Sequence, residues 1–213
     1  MRTLSQILTD CNAYLDLEAT EPTGTELTTR QNYANQAVLD AASVAQFNEF
    51  HQVYTANPSV NASVSLPSGF RELMGPVRQM NGSGWDNFEE IKPMERYERE
   101  TSDKYLYILG NSNEGYTAVF NGLTANATIS LDYQRFPSGF ATLTTICELP
   151  DPQYVTARII AYVLESRSDD RFPLKLSEAN TRLTNMIGRE SKLPGGGVNT
   201  TRRQGVGRYA IGE

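Results

Sequence analysis

The hydrophobic period of this chain changes twice, and these changes constrain its fold more than any single motif does. In the N-terminal quarter, apolar side chains recur every three or four positions, the spacing of an amphipathic helix. This spacing predicts one helix from Thr3 to about Leu17. It predicts a second, alanine-rich helix that begins with a capping box at Thr28 and Gln31, includes His51 and ends at Asn57-Pro58.

The middle of the chain alternates apolar and polar residues instead, as strands do. The clearest strands are predicted at residues 104–109, 116–120 and 128–133, with shorter candidates at 60–66 and 71–79. Turn residues separate them. The clean alternation of Ile129, Leu131 and Tyr133 with polar neighbours is typical of a half-buried antiparallel sheet.

A helical period returns at Asp151-Pro152, a good N-cap followed by a proline at the first helical position, and again from about Ser177 to Ile187. This order of elements predicts an α+β fold. We expect a helical bundle of two N-terminal and two C-terminal helices with an inserted antiparallel β-sheet region and an extended C-terminal tail. The helical bundle is placed in residues 1–58 and 150–192, the β insertion in 59–149 and the tail in 193–213.

Charge argues against nucleic acid or an anionic membrane as the main ligand. The net charge is −6, and the tail accounts for +2 through Arg202, Arg203 and Arg208 against Glu213, so the body carries −8. Phosphate binding requires concentrated lysine and arginine instead. No apolar run approaches the roughly 20 residues of a membrane span, and no secretory signal is predicted. The two cysteines are expected to be free, buried thiols of a reducing compartment.

Residues suited to catalysis are scarce. His51 is the only histidine, and with two cysteines it cannot form a closed zinc site. Gly195-Gly196-Gly197 follows a predicted helix, whereas a phosphate-binding loop precedes one. The adjacent carboxylates Glu89-Glu90 do not converge on one substrate. We therefore predict no catalytic residue, no cofactor and no metal.

Two features remain as candidate contact sites. Trp85 lies in a predicted loop and is either a packed core residue or an interface anchor. The tail is a disordered terminus, a weak nucleic-acid contact or a docking segment, and the apolar residues near its end favour docking. The side chains predicted to make that contact are Arg202, Arg203, Arg208, Tyr209 and Ile211.

Several segments, in order, resemble the head-to-tail adaptor proteins of tailed bacteriophages. The resemblance covers nearly the whole chain. Its segments are TLSQILTDCNAYL, ELTTRQNYANQAVLDAASVAQF, SVSLPSGFREL, YLYILGNSNEGYTAVF, ATISLDYQRFP and the stretch from ICELPDPQYV to LTNMI.

The resemblance implies a structural virion protein that is not an enzyme. Such adaptors form a ring, usually a dodecamer, in the neck between the capsid portal and the tail, and are assembled in the host bacterial cytoplasm. Genomic DNA passes through the lumen without specific binding. The implied partners are other copies of the chain, the portal protein, which the tail segment 193–213 would grip, and a tail or lower neck protein. The alternatives are a virion-associated, carbohydrate-active tail enzyme, a stopper or tail-completion protein, and a nucleic-acid-binding module.

Overall fold

The computed structural model describes residues 1–15, 17, 20–58, 63–81, 84–124 and 128–190. The predicted tail, residues 193–213, lies outside the described residues. The chain divides into two compact units. A helical unit comprises Met1–Glu49 and the described residues from Gly139 onward, and a sheet unit comprises Phe50–Ser138.

Four α-helices build the helical unit in the described part of the chain, and α3 is the central one because the other three all pack against it. Nine of its 15 residues are buried. The predicted start of α3 is confirmed, since the Asp151 side chain accepts a hydrogen bond from the Gln153 amide at 3.0 Å and Pro152 follows it. The helices are α1 (Leu4–Tyr14), α2 (Gly24–Val44), α3 (Pro152–Ser166) and α4 (Phe172–Glu190).

The sheet unit holds a large mixed sheet that curls into a half-barrel, with eight strands among the described residues. The strand order is β1-β8-β4-β5-β6-β7-β2, and β3 also pairs with β8. Every pairing is antiparallel except that of β5 with β6. The strands are β1 (His51–Ala56), β2 (Ser63–Ser65), β3 (Phe70–Leu73), β4 (Val77–Asn81), β5 (Gly84–Glu90), β6 (Tyr105–Asn111), β7 (Gly115–Asn121) and β8 (Ile129–Arg135).

The concave side of this sheet encloses its own apolar core. Side chains from β2 through β8 contribute, and Phe88 and Phe120 meet edge to face with ring centroids 5.3 Å apart. Burying each large apolar side chain contributes about 1.5–3 kcal/mol. The buried members are Val64, Leu66, Phe70, Leu73, Val77, Phe88, Leu106, Ala118, Phe120, Leu123, Ile129, Leu131 and Tyr133.

The predicted fold class is wrong: the protein is not a helical bundle with an inserted antiparallel β-sheet region. About 41% of the described residues are helical and 27% are in strands of one large mixed sheet. The parallel β5–β6 pair contradicts an all-antiparallel arrangement. Local sequence patterns do not encode the pairing of β5 with β6, because these strands are separated along the chain by residues 91–104.

The predicted second helix is wrong at both ends. It begins at Gly24, four residues before the predicted capping box, and it ends at Val44. Phe47, Phe50 and Tyr54 keep a helix-like spacing, but valine, tyrosine and threonine favour the extended conformation of β1. His51 is therefore the first residue of an exposed strand and not a helical residue.

Candidate assembly surfaces

Trp85 is the only predicted contact residue that falls within the described part of the chain. It lies on β5 and is 51% exposed, so the interpretation as a packed core residue is wrong. Its register partner is Met80 on β4, which is 47% exposed. Phe88 on the same strand faces the core instead, because successive strand residues point to opposite sides. The five predicted tail contacts, Arg202, Arg203, Arg208, Tyr209 and Ile211, lie outside the described residues.

The residues singled out for possible chemistry do not form a catalytic constellation in the described ranges. The Nε2 atom of His51 lies 3.8 Å from Oδ1 of Asp132, an ion pair only when the imidazole is protonated. Glu89 pairs with Arg99 at 2.9 Å. The described residues contain no group of three or more His, Cys, Asp and Glu side chains placed to hold a metal ion.

Both cysteines are free and buried, as predicted. Burial raises the pKa of Cys11 to about 12 and that of Cys147 to about 11. Desolvation disfavours the thiolate, which is the reactive form of cysteine. These side chains therefore act as small packing residues of the helical unit.

The outer face of α2 carries no charged residue after its first turn. Leu39 and Val44 are 43% and 45% exposed there, where a solvated helix normally presents charges. The one aspartate on this part of the helix, Asp40, is turned toward α3 and paired. The exposed residues beyond the first turn are Thr28, Thr29, Asn32, Gln36, Leu39, Ser43 and Val44.

The outer face of α4 has the same character. Leu174 is 69% exposed, and the exposed residues of α4 from Pro173 to Asn185 are all uncharged, with Arg189 beyond them in the last turn. Three further charged residues of α4 pair with one another, Lys175 with Glu178 at 2.8 Å and Glu178 with Arg182 at 3.1 Å, and Glu190 is buried. The uncharged exposed residues are Pro173, Leu174, Ser177, Asn180, Thr181, Thr184 and Asn185.

These two uncharged faces belong to different helices of the helical unit. Both helices pack on α3 and have at most a marginal contact with each other. Sequence reasoning missed both faces, because it followed the apolar residues of each helix and not the polar ones. The detectable signal was their recurrence at helical spacing with no lysine or glutamate among them.

A partly buried polar cluster fixes α2 on α3. Asp40 accepts hydrogen bonds from Arg158 at 2.9 Å and from the Tyr162 hydroxyl at 2.8 Å, and the rings of Tyr33 and Tyr162 lie 5.1 Å apart. Burial disfavours the charged form of Asp40, but hydrogen bonds from Gln36, Tyr162 and Arg158 outweigh it and hold the pKa of this carboxyl below its ordinary value. The carboxylate therefore has a structural role: its hydrogen bonds to α3 hold α2, and with it the uncharged face, in a defined position.

No protein-family model matches the chain, and no curated protein is significantly similar to it. None of the helices in the described ranges is both long and apolar enough to cross a membrane.

Proposed function

We propose that this chain is a structural virion protein of a tailed bacteriophage, a head-to-tail adaptor whose copies form a ring in the neck. The observation that carries the proposal is the pair of uncharged outer faces on α2 and α4. Interface cores are depleted of charged residues relative to the rest of a protein surface. The motif order that resembles phage adaptors supports the same assignment.

The two faces suit head-to-tail contact between copies. The α2 face of one copy packs against the α4 face of the next, so each copy uses two different surfaces. Contacts of this heterologous kind close into a ring when the rotation between neighbours is right. Exposed leucines supply apolar contact, and the threonine, asparagine and glutamine side chains supply hydrogen bonds. A dodecamer is the ring size that the resemblance implies.

The other surfaces have separate roles in this proposal. The tail segment, with Arg202, Arg203, Arg208, Tyr209 and Ile211, docks on the portal protein. Trp85, exposed beside Met80, anchors a tail or lower neck protein. DNA passes through the lumen without specific binding, because a net charge of −6 does not retain a polyanion.

The ring is tested by placing charge on each face. We expect the wild-type protein, alone or with purified portal, to form rings visible by negative-stain electron microscopy. Leu39→Glu on α2 and Leu174→Glu on α4 should each prevent them, because a buried unpaired charge is strongly unfavourable at an interface. The matched control is Met94→Glu, which charges an 82% exposed apolar residue of the sheet unit and should leave assembly unchanged.

A compensating pair tests whether the two faces meet. In a head-to-tail ring every interface combines one α2 face with one α4 face, so Leu39→Glu together with Leu174→Lys should assemble better than Leu39→Glu alone. Circular dichroism confirms that each variant is folded. The proposal is contradicted if the wild-type protein stays monomeric with portal present. It is also contradicted if the Leu39→Glu and Leu174→Glu variants are folded and assemble normally.

A further inference from the structure

The described strand order of the sheet unit ends in β1 and β2, and only β2 has a feature that limits further pairing. The strand β2 is three residues long, and a short edge strand offers little backbone to another strand. The strand β1 pairs with β8 over six consecutive positions without a bulge, and within the described ranges no strand pairs with its other side. Its sequence, HQVYTA, contains neither lysine nor proline, which commonly protect an edge. The backbone of β1 is therefore open to another strand.

The side chains of β1 fit a sheet that continues beyond it. Tyr54 is partly buried and packs against the core of the half-barrel, and the Gln52 side chain accepts a hydrogen bond from the Tyr133 hydroxyl at 2.8 Å. Val53 points to the opposite side of the sheet and is 59% exposed. A strand added to β1 would thus leave the contacts on the core side in place and cover Val53 on the other side.

Charge favours a second copy of β1 as the added strand. The side chains of β1 carry no charge when His51 is neutral, so this edge selects neither an acidic nor a basic segment. Like charges directly opposite each other destabilise a strand pair, and pairing β1 with itself creates none. Asp132 flanks the edge, directly across from Val53 on β8. The two copies of Asp132 would be three strand spacings apart, about 14 Å, which exceeds the Debye length of about 8 Å at physiological ionic strength.

Symmetry limits how two copies of β1 can pair. A two-fold axis perpendicular to the sheet makes the two strands antiparallel and keeps both cores on the same side of the joined sheet. The register centred on Val53 places the two Val53 side chains opposite each other and Gln52 opposite Tyr54. Cross-strand pairs of this kind stabilise a sheet by about 0.2–1 kcal/mol each. Since each copy contributes one β1, the pairing closes after two copies and does not continue into a fibre.

We infer that two copies of this chain associate through antiparallel pairing of their β1 strands, centred on Val53. A stable interface uses about 20–30 residues a side, whereas β1 contributes six, so this dimer is weak and depends on protein concentration. Its role is to cover the open edge before the chain enters a larger assembly. The inference goes beyond the proposed function and does not rest on it, because the proposed ring uses α2 and α4 of the helical unit.

Cysteine cross-linking tests both the pairing and its register. Both native cysteines are free and buried, so a cysteine introduced on β1 is the accessible thiol. Val53→Cys should form a disulfide-linked dimer on mild oxidation with diamide, because opposite residues have Cα atoms about 4.5–5.5 Å apart, within the range of a disulfide.

The matched control for cross-linking is Thr55→Cys, which lies on the same exposed side of β1. In the register centred on Val53, the two copies of residue 55 are separated by four residues, about 14 Å along the strands. Thr55→Cys should therefore cross-link at least tenfold more slowly than Val53→Cys. Faster cross-linking of Thr55→Cys would overturn this register, and absence of cross-linking in both variants would overturn the pairing.

Sedimentation velocity over a hundredfold range of protein concentration tests the association without cross-linking. We expect Val53→Lys to raise the dissociation constant of the dimer at least tenfold, because it places two lysines opposite each other. Met94→Lys, which charges an 82% exposed apolar residue of the sheet unit, is the matched control and should dimerise like the wild type. Amide hydrogen exchange should show protection of β1 that rises with concentration, with β6 and β7 unchanged as internal controls.

The Leu39→Glu background separates this inference from the proposed ring. Leu39→Glu should prevent ring formation and leave the β1 dimer unchanged, so sedimentation in that background measures the β1 contact. A dimer that Val53→Lys dissociates supports the inference even if the wild-type protein forms no ring. A folded Leu39→Glu protein that stays monomeric throughout overturns the β1 pairing and leaves the ring proposal intact. Protection of β1 that does not depend on concentration would show that one copy covers its own edge, and it would also overturn the inference.

Discussion

At the residue scale, Asp40 makes the stability of the helical unit depend on pH. Its carboxylate accepts hydrogen bonds from Gln36, Arg158 and Tyr162. In the folded protein these bonds hold the pKa of the Asp40 carboxyl group below the ordinary value of 3.8. A carboxyl group whose pKa is lowered by folding stabilises the fold fully when the pH is above its pKa in the unfolded state. This stabilisation is lost as the pH falls toward and through the pKa in the folded state. The loss therefore begins near pH 4 and continues below it.

We expect Asp40→Asn to reduce the dependence of stability on pH below about pH 4, called here the acid limb. The reason is that the asparagine amide is not protonated in that range. The measurement is the urea midpoint at several pH values between about 2.5 and 7. Asp170→Asn, which changes an exposed aspartate, is the matched control and should keep the wild-type slope. An acid limb as steep in Asp40→Asn as in the wild type would show that other carboxyl groups cause it.

At the element scale, a single glutamine ties β4 to the chain that leads from β7 to β8. Gln79 is fully buried, and its side chain donates to the Thr124 carbonyl at 2.8 Å and accepts from the Thr124 amide at 3.2 Å. We expect Gln79→Ala to lower the free energy of unfolding by about 1–2 kcal/mol, the contribution of two hydrogen bonds. Arg78→Ala, next to it but exposed, should change it by less than about 0.5 kcal/mol. Chemical denaturation gives the free energy of unfolding of each variant. Equal unfolding midpoints for Gln79→Ala and Arg78→Ala would refute the stabilising role of the Gln79 side chain.

The same scale shows what sequence patterns can predict. The strands β6, β7 and β8 and the start of α3 were predictable, because alternation, turn residues and the Asp151-Pro152 cap are local signals. The strand β5 was not, because exposed acidic residues dominate its second half. The start of α4 was predicted too late, at about Ser177 instead of Phe172, although the proline at position 173 is tolerated in a first turn.

At the scale of the whole molecule, the candidate site was less predictable than the elements. Trp85 was identified from the sequence, but its exposure depends on which side of β5 faces the core. The uncharged faces of α2 and α4 became visible only when the packing on α3 showed which residues remain exposed. The sequence pattern of a helix is a local property, whereas the exposure of its residues depends on contacts between distant parts of the chain. Surfaces for assembly are therefore harder to predict than helices.

The division into two units gives a last prediction at this scale. The sheet unit has its own apolar core, and its two ends are adjacent because His51 pairs with Gln134 in the β1–β8 register. Domains inserted into another unit commonly have neighbouring ends and fold alone. We therefore expect a fragment of residues 50–138 to fold independently, with dispersed amide resonances and a single cooperative thermal transition.

The matched comparison is a fragment of residues 59–149, the β region expected from sequence periodicity. It lacks β1, so β8 loses a six-residue partner and the core loses the packing of Tyr54. We expect this fragment to unfold at least 10 °C lower, since a loss of about 2 kcal/mol moves the midpoint of a domain this size by that amount. Equal midpoints would mean that β1 contributes little to the sheet. An unfolded 50–138 fragment would mean that the sheet unit depends on the helical unit for its stability.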